Sequence, residues 1–304
     1  MKYMSKSMHV LIFLSLLFGS SDAAVTLHYK EESDIGQPFF AVISSDAPFF
    51  NPSVEWMGKV IPLDVLKLGE SYRAYALLGG AVNRVESGTF PLVFGVVINE
   101  GGIPVNKSVD IKLRAREYPE TSLKVAPKMI NPPKSELKRI ENEAKLTAKA
   151  RAAMTPKKLW QTRAVSPLHN LVVTGSYGHR RVFNGVAKGS HSGVDLRAAL
   201  GTKVYSIYPG KVILTGRHYF AGNSVYIDSG NGVVSAYFHL DSIRVKDGAT
   251  VNAGDVIGKA GATGRVTGTH LHLSVFLSEQ SVDPMGLLDV GFSQSVKSLK
   301  QISL

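Results

Sequence analysis

Two histidines stand two residues apart in the apolar run GTHLHLSV at positions 268–275. Successive side chains of a β-strand point to opposite faces, so His270 and His272 are predicted to share one face while Leu271 and Leu273 share the other. Neutral imidazole is the commonest metal ligand in proteins, but a histidine pair on a half-exposed strand is also explained by ordinary solvation or hydrogen bonding. The pair alone does not predict a metal site.

Three further residues change that interpretation. The motif HSGVDL places His191 and Asp195 four residues apart with a glycine between them, and this even spacing puts both side chains on one side of an extended segment. The strand VVSAYFHL is predicted to place His239 at its end, on the same face as Tyr237. Each pattern taken separately is also explained by surface residues.

Together these residues describe one hydrolytic site. Two histidines and one carboxylate form the protein ligand set of a catalytic zinc ion, which keeps a fourth position open for water and lowers the pKa of that water. The two remaining histidines are suited to transfer a proton to the leaving amine or to donate a hydrogen bond to the oxyanion. The chain has no cysteine, which excludes a thiol nucleophile, a disulfide framework and a cysteine-ligated zinc site.

The elements that must position these residues are predicted to be mostly β-strands. Residues 24–118 contain short apolar or alternating runs separated by turn-forming clusters such as SDIGQ and NEGG, which is typical of a β-sandwich-like N-terminal module. Residues 166–290 contain glycine-punctuated strands that predict a C-terminal antiparallel β-sheet domain. A tail is expected at 291–304.

A linker joins the two β regions, and a targeting segment precedes them. Residues 119–165 are proline-marked and contain a helix predicted at about 134–154, with Ser135 as its N-cap. Residues 1–23 are predicted to be a signal peptide, because a basic start is followed by the apolar run VLIFLSLLF and then by small residues. We therefore expect an exported bacterial protein, periplasmic or secreted, with no transmembrane segment.

The net charge limits the expected partners. The formal net charge is +11, and a basic exported protein is suited to an anionic membrane surface or an anionic wall polymer. Nucleic acid is not an expected partner, because export separates the protein from it and the chain carries no recognised nucleic-acid-binding motif. A basic surface that only keeps the protein in solution is the alternative.

The sequence resembles the lysostaphin-type, or LytM-domain, zinc metallopeptidases that cut peptidoglycan peptides. The resemblance rests on SYGHRRVFNG…HSGVDL, AGNSVYIDSGNGVVSAYFHL, VNAGDVIGKAGATGRVTGTHLHLSV and VDP, which occur in this order over about residues 170–286. Residues 24–118 are similar only in layout to the β-rich module that many Gram-negative members carry. The resemblance therefore covers less than half of the chain.

The resemblance assigns roles to the residues that match. It implies that His191, Asp195 and His272 are the ligands of one zinc ion and that His239 and His270 are the two catalytic histidines. All five residues are intact, unlike in degenerate members that have lost their metal.

Other residues near the site match the pattern of the family less closely. Arg180 and Asn184 lie in the approach to the site and are assigned to substrate binding. Some members supply a tyrosine shortly before the first ligand, but no tyrosine lies between Tyr177 and Tyr205 here. His179 and His218 lack a partner pattern and are expected in loops or on the surface.

The predicted function is zinc-dependent hydrolysis of amide bonds in peptidoglycan stem peptides or cross-links. One alternative is a non-catalytic LytM-type activator of a cell-wall amidase, and another is a secreted lysin that attacks foreign cell wall. Members with an N-terminal module often hold the cleft closed, so intramolecular inhibition is expected to make the full chain less active than residues 160–304.

Overall fold

The computed structural model describes residues 24–161, 163–288 and 299–304. The predicted signal peptide at 1–23 lies outside these residues, as does a large part of the predicted tail. Within the described ranges the chain forms four β-sheets, of five, three, ten and five strands, together with two α-helices. The prediction of a mostly β protein is therefore confirmed. No helix in the described ranges is long and apolar enough to cross a membrane.

The first part of the chain is a sandwich of two β-sheets. Its strands are β1 (Thr26–Tyr29), β2 (Glu32–Asp34), β3 (Phe39–Ser45), β4 (Phe50–Trp56), β5 (Lys59–Pro62), β6 (Leu66–Leu68), β7 (Ser71–Leu78), β8 (Gly88–Val97) and β9 (Val105–Arg114). Strands β1, β3, β7 and β6 lie side by side in one sheet, and β2, β9, β8, β4 and β5 in the other. Leu27 and Ile43 of the first sheet share a core with Trp56, Phe94 and Ile111 of the second, which confirms the β-sandwich-like module.

The linker contains one strand and one long helix. Strand β10 (Glu120–Leu123) is followed by a 3-10 turn at Pro127–Met129 and by α1 (Lys134–Arg151). Pro133 occupies the N-cap position with a φ of −56°, and no side chain caps the first turn. The prediction of Ser135 as N-cap was therefore wrong, because the helix begins at Lys134 and leaves Ser135 inside its first turn.

The C-terminal domain is built on one large antiparallel sheet. Its strands and those of a small neighbouring sheet are β11 (Val173–Gly175), β12 (Arg180–Phe183), β13 (Val186–Ser190), β14 (Val194–Arg197), β15 (Lys203–Tyr205), β16 (Gly210–His218), β17 (Gly222–Asp228), β18 (Val233–Ile243), β19 (Thr250–Val251), β20 (Val256–Ala260), β21 (His270–Leu277) and β22 (Gln280–Val282), followed by α2 (Met285–Leu288). The large sheet runs β11, β14, β21, β18, β17, β16, β19, with β15, β20 and β22 paired beside it. Strands β10, β12 and β13 form the small sheet.

The two faces of the large sheet differ. Leu196, Tyr237, Leu271 and Leu273 project into a buried core on one face. The opposite face carries polar side chains at one end, while at the other end α1 covers it through Ala150, which packs with Tyr226, Val234 and Phe276. The uncovered end of this face is the part of the sheet available to bind a ligand.

The sandwich packs directly against the C-terminal domain. Phe40 and Leu77 of the sandwich belong to the same hydrophobic core as Trp160 and the buried face of the large sheet. The predicted tail ends in β23 (Lys300–Ser303), which pairs antiparallel with β1 and adds a fifth strand to the first sheet. The end of the chain is thus part of the N-terminal module.

Candidate active site

The register of three neighbouring strands sets the centre of the site. Asp195 on β14 lies directly opposite His272 on β21, and Phe238 on β18 lies opposite the same histidine. Cross-strand partners share a face of a sheet, so all three side chains emerge on the face opposite the core. The Phe238 ring stacks on the His272 imidazole, with centroids 5.1 Å apart and planes 6° from parallel. The phenyl ring thereby fixes the orientation of the imidazole.

His191 reaches the same point from the turn before β14. Its Nε2 lies 3.0 Å from Asp195 Oδ1 and 2.9 Å from His272 Nδ1. The His272 Nδ1 is itself 2.9 Å from Asp195 Oδ1, so the three atoms form a nearly equilateral triangle. This close approach depends on Gly193, where a Cβ would collide with the Leu273 carbonyl oxygen and the His272 ring.

The three converging atoms fit a zinc ion. Tetrahedral zinc with bonds of about 2.0 Å separates its ligand atoms by roughly 3.3 Å, close to the observed spacing. The other nitrogen of each imidazole already has a partner: His191 Nδ1 donates to the Ser176 carbonyl at 2.9 Å, and His272 Nε2 lies 2.8 Å from Ser274 Oγ. Such outer hydrogen bonds orient metal ligands. Among the described residues, His191, Asp195 and His272 form the cluster of potential metal ligands whose atoms lie close enough together to hold an ion.

The protonation states also suit a cation. Burial alone would raise the pKa of the Asp195 carboxyl, but hydrogen bonds with His191 and His272 hold it well below its ordinary range. Arg181 Nη2 donates to the other carboxylate oxygen at 2.7 Å. Burial lowers the pKa of His272 to about 4, against an opposing hydrogen bond with Asp195. The aspartate is ionised and this imidazole neutral at pH 7, as metal ligation requires.

His239 and His270 flank the three ligand atoms. Their ring centroids are 5.0 Å apart, and that of His239 is 5.9 Å from that of His272. Nδ1 of His239 bonds to the Thr263 carbonyl at 2.8 Å, and Nδ1 of His270 to the Gly268 carbonyl at 2.9 Å. A carbonyl only accepts hydrogen bonds, so Nδ1 carries the proton in both rings. In the neutral His239 ring this leaves Nε2 with a lone pair, whereas Nε2 of His270 lies 3.5 Å from Asp195 Oδ1. Burial, followed by the charges of His272 and His270, lowers the pKa of His239 to about 3.

The position of His239 differs from the alternation predicted for its strand. Its backbone is left-handed, with a φ of +63°, and the pairing of β17 with β18 shifts register at this point. Tyr237 lies in the core, where its hydroxyl accepts a hydrogen bond from the Ile207 N–H at 2.8 Å. Phe238 and His239 both lie on the open face, beside His272. The prediction that His239 shares a face with Tyr237 was wrong, because a bulge redirects the strand by one residue.

The two residues assigned to substrate binding lie outside the groove that contains the five site residues. Arg180 is exposed on β12, with its backbone N–H bonded to the Pro119 carbonyl. Asn184 follows β12 and holds the linker: its Nδ2 donates to the Val125 carbonyl at 2.9 Å and its Oδ1 accepts from the Val125 N–H at 3.0 Å. The neighbouring Arg181, unlike Arg180, lines the groove.

Sequence reasoning missed Arg181 and Phe238, and it misplaced His218. Arg180 and Arg181 point to opposite sides of one strand, and nothing local indicates which of them faces Asp195. Phe238 shares a face with Val234 and Ala236 by alternation, and nothing local indicates that this apolar face opens at its end. His218, expected in a loop or on the surface, is buried on β16 with its Nδ1 2.6 Å from Ser224 Oγ.

Fold and site together define a class of protein. An antiparallel sheet that brings two histidines and one aspartate together, with two more histidines beside them, has the arrangement typical of metal-dependent hydrolases. Residues 189–284 match the family described as Peptidase family M23, and the C-terminal domain belongs to this family.

Several known proteins are similar to this chain. The peptidoglycan DD-endopeptidase ShyB of Vibrio cholerae is 41% identical over 113 residues, which are 37% of this chain and 26% of that protein. The glycyl-glycine endopeptidase ALE-1 of Staphylococcus capitis is 36% identical over 118 residues, which are 37% of this chain and 33% of that protein. The chain thus spans about a quarter to a third of the length of these relatives.

One solved structure resembles most of the chain. A crystal structure of a candidate peptidase M23 from Pseudomonas aeruginosa aligns with a TM-score of 0.58 and 28% identity, covering 83% of this chain and 93% of that one. Because this coverage extends well beyond residues 189–284, the shared fold includes more than the family domain.

Proposed function

We propose that this chain is an exported zinc endopeptidase that hydrolyses amide bonds in peptidoglycan stem peptides or cross-links. The observation that carries the proposal is the convergence of His191 Nε2, Asp195 Oδ1 and His272 Nδ1 within 3.0 Å of one another, with two further histidines beside them. The names of the relatives supply the substrate class, and the net charge of +11 suits a wall polymer rich in carboxylates.

The groove residues divide the chemistry between them. His191, Asp195 and His272 would hold a zinc ion, which would supply Lewis acidity to polarise the scissile carbonyl and to make a water molecule more acidic. One of the two further histidines, His239 or His270, accepts the proton of the attacking water at Nε2 and passes it to the leaving amine. The protonated ring also donates a hydrogen bond to the negative charge that develops on the amide oxygen. No serine or cysteine nucleophile is needed.

Chelation is expected to abolish hydrolysis, and zinc is expected to restore it. The full chain should carry about one zinc ion and release soluble fragments from purified peptidoglycan, because a three-ligand site leaves one position open for chemistry. Magnesium, which prefers oxygen ligands, should not restore activity. Mass spectrometry of the fragments identifies the bond. A zinc-loaded chain that cleaves nothing but stimulates a cell-wall amidase would instead support the non-catalytic activator.

We further propose that the N-terminal module and linker restrict access to the groove. Strand β10 pairs in parallel with β12, and Leu123 and Val125 of the linker line the groove beside the site. The Asn184 amide holds this segment through both backbone groups of Val125. From the sandwich, Asn83 bonds to both backbone groups of Ser190, the residue before His191.

Releasing the linker is expected to raise activity on polymeric peptidoglycan. Asn184→Gly removes both side-chain hydrogen bonds while tolerating the φ of +49° at this position. Two hydrogen bonds contribute roughly 1–3 kcal/mol, so we expect a several-fold increase in the hydrolysis rate. Asn51→Gly is the matched control, because Asn51 has a similar φ of +46° on the exposed surface of the sandwich. An unchanged rate would remove the proposed restriction, and a lower rate would support the substrate-binding role predicted for Asn184.

A further inference from the structure

Arg265 holds an unusual position in the groove. Its guanidinium carbon lies 4.7 Å from the ring centroid of Phe183 and 4.7 Å from that of Phe220, so the charged group contacts two phenyl rings. Both rings and the guanidinium line the same groove as the five site residues. Cation–π contacts with both rings restrain the guanidinium and remove part of its hydration.

The loop that carries Arg265 is itself fixed. The Arg265 N–H donates to the Phe220 carbonyl at 2.8 Å. Gly264, with a φ of +79°, packs so tightly on the 220–222 backbone that a Cβ would collide with it. Thr263, two residues before Arg265, supplies the carbonyl that orients His239. The arginine is therefore held at a constant position relative to a catalytic histidine.

The guanidinium has no acidic partner among the described residues. Asp195 is the only carboxylate among the described groove-lining side chains, and it is already bonded to Arg181 and two histidines. Burial, with the nearby charge of Arg181, lowers the pKa of Arg265. Lys188 adds a further positive charge to the groove lining. This excess of positive charge favours an anionic ligand.

We propose that Arg265 determines specificity by binding a carboxylate of the substrate peptide close to the scissile amide. The planar guanidinium fork matches a carboxylate with two parallel hydrogen bonds, and no other charged group of the described groove is both free and held in place. This inference rests on the proposed function and adds to it: the substrate is a peptide with a free carboxylate near the bond that is cut.

The test compares one substrate with and without its carboxylates. Muropeptide dimers and the same dimers amidated with carbodiimide and ammonia are digested by the zinc-loaded full chain, and kcat/KM is measured for each. We expect the native chain to favour the free acid roughly 10- to 100-fold, the range for charge-assisted hydrogen bonds. Arg265→Met should reduce this ratio to near one, mainly through KM, and Arg265→Lys should give an intermediate ratio because it keeps charge but loses the fork.

The controls separate this inference from the proposed function. Arg244→Met removes the same charge from an exposed arginine outside the groove and should keep the native ratio. Zinc content and thermal unfolding show whether each variant is intact, and Arg265→Lys replaces Arg265→Met if the latter does not fold. If the ratio of kcat/KM for the free acid to that for the amidated substrate were equal in the native chain and both Arg265 variants, the proposed role of Arg265 would be wrong. The proposed peptidase activity would be unaffected by that result. Cleavage of neither substrate by the native chain would overturn the proposed function itself.

Discussion

His272→Ala is expected to remove bound zinc and peptidoglycan hydrolysis together. His272 Nδ1 is one of three converging ligand atoms, 2.9 Å from both His191 Nε2 and Asp195 Oδ1. Two remaining protein ligands cannot hold the ion in the geometry of a catalytic site. Loss of an outer partner typically reduces metal affinity or activity 10–100-fold, so loss of the ligand itself should reduce activity by more than about 100-fold.

The matched control is another buried histidine of the same sheet. His218 is 7% exposed, as is His272, but it bonds to Ser224 away from the metal ligands. His218→Ala should therefore lose packing to a similar degree while keeping about one zinc ion per chain. If His272→Ala also kept its zinc, the ligand assignment would be wrong.

Fluorescence can show whether the C-terminal domain remains folded in these variants. Trp160 is fully buried in the core of this domain, whereas Trp56 lies in the core of the sandwich. In a Trp56→Phe background, the unfolding midpoint followed through Trp160 reports on the domain that carries the site. If a variant loses zinc but keeps the native unfolding midpoint, the loss of zinc is due to the missing ligand and not to a misfolded sheet.

The sequence predicts the identity of the site residues better than their surroundings. Spacing within short motifs depends only on strand alternation, so the shared face of His270 and His272 follows from two residues of local sequence. The pairing of Asp195 with His272 joins strands 77 positions apart, and only the family resemblance indicated it. The linker helix was predicted because its composition and proline boundaries are local.

Features that depend on distant contacts were not predicted. Strand β23 pairs with β1 at the opposite end of the chain, and Phe40 joins a core with Trp160; neither contact leaves a local pattern. The choice of Arg181 over Arg180 depends on the register of β12 in its sheet. His239 was placed on the wrong face because a left-handed residue interrupts the alternation, and residues other than glycine adopt that conformation uncommonly.

His239→Ala is expected to keep zinc and lose turnover. His239 does not belong to the triangle of ligand atoms, and its Nδ1–H is directed to the Thr263 carbonyl, which leaves Nε2 free for proton transfer. A positioned acid or base contributes typically 10²–10⁴-fold, so kcat should fall by about this factor with little change in KM. Zinc analysis and steady-state kinetics on the same preparation measure both properties.

The left-handed backbone at His239 calls for a second variant. Alanine at a φ of +63° is strained by about 1 kcal/mol, which could loosen the bulge and disturb the neighbouring His272. Asparagine tolerates this conformation better, so His239→Asn removes the imidazole and keeps the bulge. Equal loss of kcat in both variants, with zinc retained, attributes the effect to proton transfer. Loss of zinc from a folded His239→Asn chain would instead place His239 among the ligands, and the division between metal binding and proton transfer would have to be redrawn.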